Sequence, residues 1–139
     1  MCGCPPDFVH GLALPLDPIR GVEDPRRPAG IWQFAWDAAR QRMDAAAIAL
    51  VVNPARYRSQ DQLHVHLLRL RPGAGQALRD NLAGHVKDLA DVWPVAARAA
   101  AARGLDDYGV LVAQEPGDMF QVVVTAASPE AAFTEWQCR

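Results

Sequence analysis

The sequence lacks a long apolar run, a strong charge imbalance and a cysteine framework. No segment of the 139 residues approaches the roughly 18 apolar residues of a membrane-spanning helix, and the first residues have no signal-peptide pattern. The formal net charge is -2, from 16 acidic and 14 basic residues, so no overall field attracts nucleic acid or an anionic membrane. The length of 139 residues predicts a single domain, residues 1–139. The absences predict a cytoplasmic protein that does not bind nucleic acid.

The cysteines are few and lie at the two ends of the chain. Cys2, Cys4 and Cys138 fall outside every periodic segment. Their number and spacing do not fit the usual structural zinc patterns. Free thiols in a reducing cytosol are the main expectation, and a bridge from Cys2 or Cys4 to Cys138 stays open if the termini meet.

Residue periodicity and turn residues predict an α+β fold. Strands are predicted at residues 7–16, 47–52, 108–114 and 119–126, with a fifth in the histidine-bearing stretch that ends at Leu70. Helices are predicted from 29 to about 44, after Gly75 through Leu78, Leu82, His85 and Leu89, from about 94 to 103, and from Ser128 onward. Trp32 and Trp36, one turn apart, are expected in a buried stripe. The short connections predict an antiparallel sheet of about five strands with helices packed on it.

The stretch from Asn53 to Leu70 carries most of the functional signal. Side chains two apart on a strand share a face, so Gln62, His64 and His66 point the same way. Adjacent imidazoles can divide the work of nucleophile and proton donor near neutral pH. The neutral groups of Asn53 and Ser59 can hold phosphoryl oxygens without repelling them.

Two other interpretations of the histidine pair remain open. His-x-His on a strand is also a common pair of metal ligands, but a third ligand would have to come from His10, His85 or a distant carboxylate. Alternate strand positions can also be solvent-exposed and without function. The local pattern alone does not choose among catalysis, metal binding and a structural role.

Several motifs together resemble the histidine triad superfamily. The residues Val-Val-Asn53, Ser59 and Gln62-Leu-His64-Val-His66-Leu-Leu68 follow its His-φ-His-φ-His-φ-φ pattern, where φ is an apolar residue. The block Arg-Ser-Gln-Asp-Gln-Leu-His-Val-His at 58–66 is more closely similar to the CDP-diacylglycerol pyrophosphatase branch, as are Gly-Val-Glu-Asp-Pro at 21–25 and Ala-Trp-Asp-Ala-Ala-Arg at 35–40. The resemblance covers roughly residues 8–72.

The resemblance implies catalytic roles for three histidines. His64 matches the central histidine, which attacks phosphorus and forms a transient phosphohistidine. His66 matches the histidine that hydrogen-bonds the phosphate or leaving group, and His10 resembles an orienting histidine from an earlier strand, expected behind His64. Neither a metal nor another cofactor is expected.

The resemblance also implies a substrate and the groups that bind it. Asn53, Ser59 and Gln62 are the expected binding residues. Gln62 replaces the first motif histidine and cannot carry a proton to a leaving group, so acid catalysis would fall to His66. The expected activity is hydrolysis of a nucleotide pyrophosphate, most closely of CDP-diacylglycerol to CMP and phosphatidate. The alternative is a non-catalytic nucleotide-binding protein of the same histidine triad type.

Two further expectations rest on the resemblance alone. Homodimers are common among histidine triad hydrolases, so a homodimer is expected. Members of the pyrophosphatase branch generally carry a hydrophobic N-terminal anchor, and such an anchor would make the protein inner-membrane-associated rather than cytoplasmic.

Overall fold

A computed structural model describes residues 9–15, 27–57 and 62–136. These residues contain the strands β1 (His10–Ala13), β2 (Ile48–Val52), β3 (Val65–Arg69), β4 (Leu82–Val86), β5 (Gly109–Glu115) and β6 (Met119–Thr125). The helices are α1 (Ile31–Arg40), α2 (Gly75–Asp80), α3 (Val92–Ala102) and α4 (Pro129–Phe133), with short 3₁₀ turns at Ala45–Ala47, Ala55–Tyr57 and Leu89–Asp91. The predicted α+β class is confirmed. Ser59 and all three cysteines lie outside the described residues.

The strands form one antiparallel sheet in the order β1-β3-β2-β5-β6-β4. Every residue of β2 is buried, as its continuous apolar sequence predicts for a central strand. β2 and β3 are antiparallel neighbours, so the apolar run pairs directly with the histidine strand. β5 and β6 form an antiparallel hairpin, and its turn places Gly117 and Asp118 in the left-handed region.

Helices cover both faces of the sheet. On one face α1 and α3 bury Trp32, Trp36 and Trp93, so the predicted tryptophan stripe is confirmed as core. On the other face Leu78 of α2 and Phe133 of α4 pack against sheet residues. No helix among the described residues is long and apolar enough to span a membrane.

One predicted helix is wrong in its second half, and the sheet has six strands rather than about five. The helix that starts at Gly75 ends at Asp80, and Leu82–Val86 forms β4 at the sheet edge beside β6. Gly84 disfavours a helix, and α3 packs so closely that a Cβ there would lie 2.9 Å from Val95 Cγ1. His85 therefore lies exposed on a strand, paired with Glu115, and not beside an apolar helical stripe.

Candidate active site

The sheet brings His10 and His66 together across two neighbouring strands. In the β1–β3 pairing His10 lies opposite Leu68, two residues beyond His66 on the same face. Such diagonal positions are within reach of large side chains. His10 Nε2 lies 3.1 Å from His66 Nδ1, and the ring centroids are 5.4 Å apart.

His64 extends this pair into a row of three imidazoles. It immediately precedes β3, is 9% exposed, and its ring centroid lies 5.4 Å from that of His66. His66 is therefore the middle ring of the row. The histidine that His10 contacts here is His66, whereas the sequence resemblance predicts a position behind His64.

A carboxylate that the sequence analysis did not select completes the cluster. Glu130 lies in the first turn of α4, and its side chain is 14% exposed. Its Oε2 lies 2.9 Å from His66 Nδ1 and 3.4 Å from His10 Nε2. Its Oε1 accepts a hydrogen bond of 3.4 Å from Asn53 Nδ2. We use the name imidazole–carboxylate cluster for His10, His66 and Glu130.

The position of Glu130 follows from the way α4 begins. Ser128 caps the helix by accepting from the Ala131 N–H, and Pro129 lies in the first turn, positions that both residue types favour. The Ser128 hydroxyl also donates to Asn53 Oδ1 at 2.9 Å, which ties the helix start to the end of β2. Gly109 permits this contact, because a Cβ there would lie 2.5 Å from Pro129 Cδ. Asn53 thus positions α4 as well as contacting Glu130.

The imidazoles keep Glu130 ionised despite its partial burial. Burial alone raises the pKa of this carboxyl, but the interactions with His10 and His66 outweigh burial and lower the pKa from 4.5 to about 2. Glu130 in turn raises the pKa of His10, against the opposing effect of burial and with help from the Trp136 carbonyl. The cluster therefore pairs the Glu130 carboxylate with the His10 imidazole, which binds a proton more readily than a free imidazole does.

The cluster also presents three atoms of the kind that bind metals. His10 Nε2, His66 Nδ1 and Glu130 Oε2 form the one group of three or more such histidine, cysteine or carboxylate atoms found among the described residues. The sequence left a metal site open only if a third ligand came from His10, His85 or a distant carboxylate. The cluster differs from that expectation, because it joins His10 and Glu130 to His66 alone, and neither His64 nor His85 belongs to it.

The remaining predicted binding residues have different surroundings. The Gln62 side-chain amide donates a 3.4 Å hydrogen bond to the Pro15 carbonyl. Ser59 lies outside the described residues. A cleft of about 520 Å³, large enough for a small ligand, adjoins Glu130 and is lined by residues that include Tyr57 and Trp136. Neither of these two aromatic residues is among the predicted binding residues.

The fold and the cluster define an α+β domain with a histidine-rich site on one face of an antiparallel sheet. The sequence model of the CDP-diacylglycerol pyrophosphatase family matches residues 6–99 of the chain. The chain belongs to the CDP-diacylglycerol pyrophosphatase family. The matched region includes His10, Asn53, His64 and His66, whereas Glu130 lies beyond it.

Curated relatives in two bacterial genera have similar sequences. The CDP-diacylglycerol pyrophosphatase of Mycobacterium bovis (strain BCG / Pasteur 1173P2) is 36% identical over 86 residues, which cover 53% of this chain and 33% of the relative. The CDP-diacylglycerol pyrophosphatase of Yersinia pestis is 33% identical over 93 residues, which cover 59% of this chain and 34% of the relative. The chain thus matches about a third of the length of these relatives.

Proposed function

We propose that the protein hydrolyses a nucleotide pyrophosphate through a phosphohistidine on His64, with CDP-diacylglycerol as the substrate and CMP and phosphatidate as products. The observation that carries this proposal is the row of imidazoles, in which His64 lies beside His66 on one sheet face. Membership of the pyrophosphatase family supports the choice of substrate. The motif resemblance is also the basis for proposing that the domain is of the histidine triad type and forms a homodimer.

In the first step His64 attacks the phosphorus on the cytidine side of the pyrophosphate. A P–N bond forms while the bond from that phosphorus to the bridging oxygen breaks, and phosphatidate departs with the electron pair. His66 donates the hydrogen bond or proton that the departing oxygen needs, because Gln62 cannot supply a proton. In the second step water attacks the same phosphorus and gives a proton to His66, the P–N bond breaks, and CMP leaves with His64 restored.

His10 and Glu130 act on His66 rather than on the substrate. Their atoms lie 3.1 and 2.9 Å from His66 Nδ1, which fixes the orientation of the ring. A hydrogen bond on one imidazole nitrogen determines what the other nitrogen presents. When only Nδ1 of His66 carries a hydrogen and donates it within the cluster, Nε2 can accept a hydrogen bond. When Nε2 is protonated as well, His66 can deliver that proton to the leaving oxygen.

The central test is the variant His64→Ala, assayed with CDP-diacylglycerol labelled at the cytidine-side phosphorus. We expect turnover to fall by at least about 10³-fold. The native protein, quenched during turnover, should carry the label in an acid-labile, base-stable bond, and the variant should carry none. His85→Ala is the matched control, since His85 lies on a strand at the far edge of the sheet. Undiminished hydrolysis by His64→Ala refutes the mechanism.

A second candidate function is nucleotide binding without catalysis. It is favoured by Gln62, whose amide is bound to the Pro15 carbonyl where the motif otherwise has a histidine. Calorimetry with CMP and AMP, together with hydrolysis assays on the matching pyrophosphates, separates the two functions. Binding without turnover supports this second function, whereas turnover that depends on His64 rules it out.

A further inference from the structure

The geometry points to a divalent transition-metal site at the imidazole–carboxylate cluster, with His10 Nε2, His66 Nδ1 and Glu130 Oε2 as ligands and Zn²⁺ as the fitting ion. Two imidazoles and one carboxylate are a ligand set that zinc accepts when a fourth position is left for water or substrate. The nitrogen donors favour zinc and its transition-metal neighbours over magnesium or calcium.

The separations of the three atoms fit a shared metal ion. Zinc bonds of about 2.0–2.2 Å to nitrogen and oxygen place tetrahedral ligands roughly 3.3–3.5 Å apart. The separations are 3.1 Å between the imidazole nitrogens, 2.9 Å from His66 to Glu130 and 3.4 Å from His10 to Glu130. Spreading the ligands by a few tenths of an ångström would admit the ion.

The hydrogen bond at Nδ1 of His10 leaves the other ring nitrogen, Nε2, available to bind a metal. His10 Nδ1 lies 3.1 Å from the Trp136 carbonyl oxygen, which can only accept a hydrogen bond. In the neutral ring Nδ1 therefore carries the hydrogen, and the lone pair of Nε2 faces the cluster. A backbone carbonyl that fixes the tautomer in this way commonly accompanies metal-binding histidines.

The two oxygens of Glu130 have different surroundings. Oε1 accepts from the Asn53 amide, which orients the carboxylate. Oε2 is fully buried, and no described donor is aligned to hydrogen-bond it, although His66 Nδ1 lies only 2.9 Å away. When neither ring is protonated, this buried carboxylate receives no counter-charge from the histidines, and a divalent cation between the three atoms would supply one.

The site has an approach from solvent. The His10 side chain is 28% exposed, and the cleft of about 520 Å³ adjoins Glu130. An ion could enter from this side and keep its fourth position there. A metal on His66 Nδ1 also leaves the hydrogen on Nε2, so His66 would keep a donor for an incoming oxygen. Binding at this site does not depend on the proposed reaction at His64.

The test is zinc binding by the full chain with Cys2, Cys4 and Cys138 changed to serine, which removes thiols that could bind zinc elsewhere. Calorimetry at pH 7.5, followed by elemental analysis after desalting, should give one zinc per chain. Glu130→Gln and His10→Ala in this background should each weaken binding by at least about 10-fold, because each removes a ligand. Cobalt should produce visible d–d bands that both variants lose.

Two further variants keep this test separate from the test of catalysis. His85→Ala removes an exposed histidine with a carboxylate partner and should bind zinc like its parent. His64→Ala should also retain the zinc, even where it abolishes turnover. Circular dichroism establishes that each variant is folded, and His10→Ala serves if Glu130→Gln does not fold. Less than one zinc per chain in the parent, or unchanged affinity in a folded ligand variant, overturns the proposal.

Discussion

Replacing Glu130 with glutamine should change the pH dependence of stability in a specific way. When a chelator keeps the protein metal-free, protons are the only cations that bind to the imidazole–carboxylate cluster. Interaction with the histidines lowers the Glu130 pKa from 4.5 to about 2 and raises the His10 pKa above 6.5. Glutamine matches glutamate in size but cannot ionise, so the variant removes the charge interaction with little change in packing.

The direction of each change follows from proton linkage. A carboxyl whose folded pKa is lowered stabilises the protein above its unfolded pKa of 4.5, and that contribution is lost as the pH falls through about 2. An imidazole whose folded pKa is raised stabilises the protein fully below its unfolded pKa of 6.5, and that stabilisation is lost as the pH rises through the raised folded pKa. The advantage of the native protein over Glu130→Gln should therefore be largest between pH 4.5 and 6.5.

The magnitude follows from the carboxyl shift. Lowering the pKa from 4.5 to about 2 corresponds to roughly 3 kcal/mol of folding free energy at full ionisation. The His10 shift reports the same interaction from the other partner, so the two contributions are not added. The advantage should fall to roughly half by about pH 3.

The assay is urea unfolding of both proteins from pH 3 to pH 8 in EDTA. Effects of other titrating groups largely cancel in the difference between the two free energies of unfolding. The matched control is Glu115→Gln, which also removes a carboxylate beside a histidine. Because the side chain of its partner His85 is 47% exposed, its effect should stay within about 1 kcal/mol at every pH. A difference for Glu130→Gln that does not vary with pH refutes the charge interaction.

Two more variants test how α4 is held over the site, both by urea unfolding at pH 7. Gly109→Ala should lower the free energy of unfolding by about 1–3 kcal/mol, because its Cβ would lie 2.5 Å from the rigid ring of Pro129. Gly30→Ala is the control, since the space around Gly30 is open and no such clash arises. Phe133→Ala should cost about 3–5 kcal/mol through the cavity it leaves, while Phe34→Ala, at an exposed position, should stay within about 0.5 kcal/mol. Equal effects within either pair contradict the packing of α4 against the sheet.

Local sequence patterns predict those helices and strands in which the apolar residues of the pattern are also the buried residues of the fold. β2 is an apolar run at the centre of the sheet, and the stripe of α1 buries Trp32 and Trp36, so composition, period and burial coincide. β4 could not be recognised in this way, because the spacing of Leu82 with Leu78 and Leu89 also fits a helix. The hydrogen bonds that make it a strand come from β6, which is distant in sequence. Gly84 is a local signal against a helix.

The site was predictable only in part, for a related reason. Period-two geometry placed His64 and His66 on one face, and the family resemblance added His10. An acidic residue in the first turn of a capped helix is ordinarily explained by the helix dipole, so Glu130 carries no distinctive sequence signal. Its role depends on the contact of Ser128 with Asn53, which joins segments 75 residues apart.

For the proposed pyrophosphate substrate, Glu130 changes the electrostatic requirement for binding at this site. Two neutral imidazoles and an ionised carboxylate carry a net charge of −1, which repels an anionic substrate. One bound proton makes the imidazole–carboxylate cluster neutral. A second proton, or one divalent ion with both imidazoles neutral, makes it +1. The neutral side chains of Asn53 and Ser59 can hold a phosphate but cannot offset the charge of this carboxylate. We therefore expect the affinity for the proposed substrate to depend on the protons or the divalent ion that the cluster binds.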